Sequence, residues 1–84
     1  MYKVRIRRQA VKDIKGLPDK YPRLISEQID RLAENPRPAG IKKLTNQPGY
    51  RLRVGVYRIL YRIDDASQVV TIDRVKHRRE AYRR

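Results

Sequence analysis

Cysteine, tryptophan and phenylalanine are absent from these 84 residues, and Asp and Glu number 9 against 22 Lys and Arg. Without cysteine there is no disulfide framework, and one histidine cannot make a structural zinc site. The few carboxylates show no calcium-loop spacing. Neither a metal nor another cofactor is expected. The longest uncharged stretches, Leu44 to Tyr50 and Ala66 to Ile72, run seven residues, whereas a membrane-crossing helix needs roughly 20 apolar ones. The opening Met-Tyr-Lys-Val-Arg-Ile carries a charge at every second position from Lys3 on and lacks the apolar block of a secretory signal. The expectation is a cytoplasmic protein with no membrane partner.

What remains is enough to fold. Leu, Ile and Val make up 21 of the 84 residues, a quarter, above the roughly 20% below which a highly charged chain stays disordered. The length predicts one domain, 1–84, and leaves no room for a two-domain enzyme. So short a chain buries only about 60% of its unfolded surface, so its core must be regular.

The net charge is +13, and 15 of the 22 cations are arginine. Such a charge repels itself in a compact body, and nucleic acid is the default partner that benefits from it, an acidic protein the second. Arginine's planar fork suits phosphate better than lysine's point charge does.

Hydrophobic periodicity predicts an α+β order. Tyr2, Val4 and Ile6 alternate with Lys3, Arg5 and Arg7, as in a strand with one buried face. Ala10, Val11, Ile14 and Leu17 then fall at helical spacing, with Gly16-Leu17-Pro18 as the stop. Asp19 is the expected cap of a second helix whose stripe is Leu24, Ile25, Ile29, Leu32 and Ala33, ending at Asn35-Pro36. Arg37 to Gly49 reads as loop. Tyr50 to Val54, Tyr57 to Ile63 and Val69 to Val75 read as a three-strand antiparallel meander turned at Gly55 and at Asp64 to Ser67. A short basic tail, His77 to Arg84, follows.

Strand alternation sets Arg51 with Arg53 on one face of their strand, and Arg58 with Arg62 on one face of the next. No acid occurs between Tyr50 and Ile63, and like charges on paired strands destabilise a sheet. Such a cluster suits an anion; a solvated outer face is the plain alternative. The sequence holds no phosphate-binding glycine loop, no paired carboxylates set for acid and base roles, and no nucleophile with an evident partner. His77, among Lys76, Arg78 and Arg79, is the one side chain with an ordinary pKa near neutrality.

The element order, together with Tyr50-Arg51-Leu52-Arg53-Val54-Gly55, Tyr57-Arg58-Ile59-Leu60-Tyr61 and His77-Arg78-Arg79-Glu80-Ala81-Tyr82-Arg83, resembles the RelE family of toxins. The likeness spans essentially the whole chain. It implies a RelE-like, microbial-ribonuclease-type fold and a toxin of a type II toxin-antitoxin pair. The implied activity is metal-independent cleavage of mRNA in the ribosomal A site, which inhibits translation. By the same likeness Arg51, Arg53, Arg58, Arg78 and Tyr82 are catalytic positions. His77 is a candidate general base, because some relatives carry lysine at the positions of Arg51 and Arg53, and arginine does not readily accept a proton. Lys42, Lys43, Arg62, Arg79 and Arg83 are expected to hold RNA. Lys76 stands where relatives often carry glycine. The implied partners are an acidic antitoxin from an adjacent gene, the ribosome and mRNA. The rivals are a ParE-like gyrase inhibitor and a noncatalytic RNA- or ribosome-binding module.

Overall fold

A computed structural model describes residues 1–79. Strand β1 (Lys3–Ile6) leads into helices α1 (Arg8–Lys15) and α2 (Tyr21–Glu34), and β2 (Lys42–Lys43), β3 (Tyr50–Val54), β4 (Tyr57–Asp64) and β5 (Val69–His77) follow. The five strands form one sheet in the order β1-β5-β4-β3-β2. Both pairings of the meander are antiparallel. β1 returns to lie parallel to β5, Val4 opposite Val70 and Ile6 opposite Ile72.

The helices cover one face of this sheet. Ala10, Ile25, Ile29 and Leu32 meet Leu52, Ile59, Tyr61, Val70, Ile72 and Val75, all within a tenth of full exposure. Tyr61 brings the one polar group into the middle of this core and donates its hydroxyl to the Pro36 carbonyl at 2.7 Å. Burial pushes that phenol up to about 12. The helix faces are those that spacing predicted.

Several local expectations change. Asp19 does not cap α2; it takes a left-handed φ of 53°, and the helix starts behind Lys20 with no side-chain cap. Pro22 sits in the first turn, where its missing N–H is harmless. Lys42 and Lys43, expected in a loop, form β2 by pairing with Arg51 and Tyr50. Ile6 is 41% exposed, so β1 buries less than its alternation implied. β5 runs two residues further than expected and includes His77.

Gly55 does turn β3 into β4. Its φ of +61° suits the first central position of a two-residue hairpin. A Cβ there would lie 2.6 Å from the Tyr21 hydroxyl, so any other residue would have to displace that ring as well as take a left-handed backbone.

Candidate RNA-binding face

Directly opposed residues share a sheet face, so the register sorts the cations. Arg53 opposes Arg58 and Arg51 opposes Leu60; Lys42 opposes Arg51. All five lie on the face away from the helices, because their neighbours Leu52 and Ile59 point into the core. Gly40, Lys42, Arg51, Arg53 and Arg58 line a hollow of about 290 Å³. No acid is among its lining residues that the structure describes.

Arg58 is only 5% exposed, the one buried charged residue among those described. Taking a guanidinium out of water costs several kcal/mol even after relaxation, so its burial at the edge of this hollow requires polar groups or an anion around it. Arg53 donates from Nε to the Gly55 carbonyl at 3.3 Å, which ties its exposed side chain to the hairpin turn.

Arg62 departs from the expected row. Asp64 and Asp65 follow it closely in sequence, but its partner is Asp73 of β5. A register shift between Leu60 and Tyr61 leaves Asp73 as an extra residue, with Arg74 opposite Leu60 and Ile72 opposite Tyr61. Such a bulge re-aims a side chain. Asp73 accepts from Arg62 Nε and Nη2, both at 2.8 Å, and also pairs with Arg7 at 3.6 Å. Arg62 is therefore neutralised within the sheet and stands outside the arginine hollow.

His77 also stands apart. It opposes Tyr57, and Val75, two residues earlier, is core, so the imidazole lies on the helix side of the sheet. Its ring meets Tyr57 edge-on at 5.6 Å, and Tyr57 in turn meets Tyr21 at 4.7 Å. Nδ1 accepts the Arg79 backbone N–H at 3.2 Å. The structure does not bring His77 into the hollow with Arg51, Arg53 and Arg58.

The remaining candidates divide. Arg78 is exposed, and its backbone N–H donates to the Val56 carbonyl at 2.7 Å. It thus begins the tail at the same end of the sheet as Arg53 and Arg58. Arg79 is exposed beside it. Lys43 turns from Lys42 and lines a larger hollow of about 820 Å³ with Arg5, Arg62 and Asp64. Tyr82 and Arg83 lie outside the described residues.

Two charge networks outside the hollow brace the fold. Asp13 on α1 caps the part of β5 that β1 leaves uncovered: it accepts from Val75 N–H at 2.9 Å and from Arg74 Nε and Nη2 at 2.8 and 3.1 Å. Burial raises the Asp13 carboxyl, but these hydrogen bonds outweigh it and leave it below the usual carboxylate range. Asp65 accepts two bonds from Arg37 and one from the Tyr2 hydroxyl. Arg37, first, and Tyr2 hold its carboxyl down at about 2. No group of three or more His, Cys, Asp or Glu among the described residues could hold a metal ion. No described helix is long and apolar enough to cross a membrane.

Residues 4–82 match the family model described as the ParE toxin of the type II toxin-antitoxin system parDE. Toxin RelG of Mycobacterium tuberculosis is 36% identical over 88 residues, covering 99% of this chain and 98% of that protein. The putative toxin RelE1 of Methanocaldococcus jannaschii is 30% identical, covering 98% and 96%. The toxin-antitoxin complex RelBE2 from Mycobacterium tuberculosis superposes with a TM-score of 0.80 at 34% identity, over 90% of this chain and 96% of that one. The archaeal RelE-RelB complex from Pyrococcus horikoshii OT3 gives 0.80 at 32% identity, over 92% and 94%. The chain belongs to the ParE toxin family, within the RelE/ParE superfamily of type II toxins.

Proposed function

We propose that this toxin is a ribosome-dependent mRNA endonuclease that cuts in the A site. One observation carries the reading: Arg51, Arg53 and Arg58 converge with Lys42 on one hollow whose lining, among the described residues, holds no acid. In the reaction the substrate's 2′-oxygen attacks its adjacent phosphorus, the bond to the 5′-oxygen breaks, and a 2′,3′-cyclic phosphate and a free 5′-hydroxyl result. Charge accumulates on the phosphorane oxygens. Each charge-assisted hydrogen bond contributes about 1.5–3 kcal/mol, and a millionfold acceleration needs roughly 8 kcal/mol, so three or four guanidiniums are of the right order.

Arg58 takes the central phosphate oxygen, with Arg51 and Arg53 beside it. Arg78 supports the leaving oxygen, and Tyr82 stacks on the neighbouring nucleotide. Since His77 lies against Tyr57 on the far side of the sheet, the reading favours arginines acting by electrostatics while the ribosome aligns the 2′-hydroxyl. An acidic antitoxin encoded next to the toxin gene is the proposed protein partner, by likeness to relatives captured with theirs.

The match to the ParE family model favours a second reading, inhibition of DNA gyrase. Primer extension on mRNA from expressing cells, run beside a gyrase supercoiling assay, separates the two. A-site breaks that vanish with Arg58→Ala support the nuclease; loss of supercoiling without breaks overturns it.

A further inference from the structure

We infer that Lys76 is a phosphate-binding residue that carries the substrate backbone from the arginine hollow across to β5, beside the scissile position. This rests on the nuclease reading above. Register supplies the argument. Arg53 opposes Arg58 and Arg58 opposes Lys76, so three cations form one rung across three neighbouring strands on the outer face.

Opposed residues have Cβ atoms about 4.5–5.5 Å apart, and like charges there destabilise a sheet. The middle member, Arg58, is 5% exposed, so bulk water screens its charge little. The next rung is built differently. It runs Lys42, Arg51, Leu60, Arg74, so apolar Leu60 interrupts the charge, and Arg74 is held by Asp13. Only the first rung offers a polyanion a cation on each of three adjacent strands, about 4.8 Å apart.

Lys76 also borders a second hollow of about 370 Å³, which it shares with Leu60, Arg62, Asp73 and Arg74. Its one carboxylate, Asp73, is engaged by Arg62. Asp13 feels the positive field of Lys76, but its oxygens are already engaged by Arg74 and the Val75 N–H.

The test is fluorescence anisotropy of the full chain with a short, uncleavable 2′-O-methyl RNA, titrated with salt. Lys76→Gln is expected to weaken binding about five-fold at low salt and to flatten the slope of log affinity against log salt by about 0.7, one single-strand phosphate. Lys76→Arg restores both. Arg23→Gln removes the same charge from the exposed face of α2 and leaves the slope alone. A Lys76→Gln slope equal to that of the parent, or matched by Arg23→Gln, overturns the inference. Cleavage on programmed ribosomes is followed in parallel. A parent that cuts, with KM unmoved by Lys76→Gln, removes Lys76 and keeps the nuclease; a parent that does not cut removes both.

Discussion

Arg58 and Arg62 lie four residues apart on the same side of β4, in opposite electrostatic settings. Arg62 is exposed, yet it is gripped by both oxygens of Asp73. Arg58 is buried, and the hollow above it is lined by cations and a glycine. A charge that only kept the protein dissolved belongs at the surface, and one that only braced the sheet belongs against a carboxylate. Arg62, Arg74 and Arg37 brace the sheet, each with a bidentate acid. In the proposed function, the Arg51, Arg53 and Arg58 group is the one that meets a phosphate brought from outside.

Arg58→Lys is the hardest test of that contrast. It keeps the charge and loses the fork, so ribosome-dependent cleavage should fall roughly 10- to 100-fold, the worth of one charge-assisted bond, while the melt stays cooperative. Single-turnover cleavage by a folded variant reads it, and an unchanged rate breaks the contrast at its centre. On the bracing side, Asp13→Ala should lower stability by about 1–3 kcal/mol, because it strips Arg74 of its partner and leaves the Val75 N–H unsatisfied. Urea unfolding measures this.

Asp73→Asn sharpens the comparison by moving one residue across it. Releasing exposed Arg62 and Arg7 should cost no more than about 1 kcal/mol and should tighten RNA binding without speeding cleavage. Faster cleavage would mean that Arg62 belongs to the site after all. The smallest effect is with pH. Asp13 and Asp65 both titrate below their unfolded values. Their stabilisation is complete above the ordinary carboxylate range near 4 and is lost as pH falls through their folded values, for Asp65 at about 2. Asn at either position should flatten that acid limb of the stability curve.

The sequence was informative wherever structure is local. The stripes of α1 and α2, the alternation of β3 and β4 and the turn at Gly55 are all set by residues within a turn of one another. What could not be read depends on pairing. β2 exists because Lys42 and Lys43 find β3, and nothing in a lysine pair announces a strand. Parallel docking of β1 on β5 joins segments more than sixty residues apart.

Two misreadings had a signal. In β5 the apolar spacing goes from two, Val70 to Ile72, to three, Ile72 to Val75, which marks the bulge that hands Asp73 to Arg62. Carrying the strand from Val75 through His77 would likewise have put the imidazole on the core side. The arginine face was legible because alternation alone fixes it; that Arg62 is drawn out of it by Asp73 was not.

Both borders of the sheet are short and cationic. β1 shows Lys3 and Arg5 to solvent, and β2 consists of Lys42 and Lys43 alone. A second copy approaching either border to extend the hydrogen-bonded ladder would meet charge of its own sign along a run too brief to hold it. The same surplus of positive charge thus disfavours edge-to-edge stacking of copies of the chain at the high local concentrations of its own synthesis.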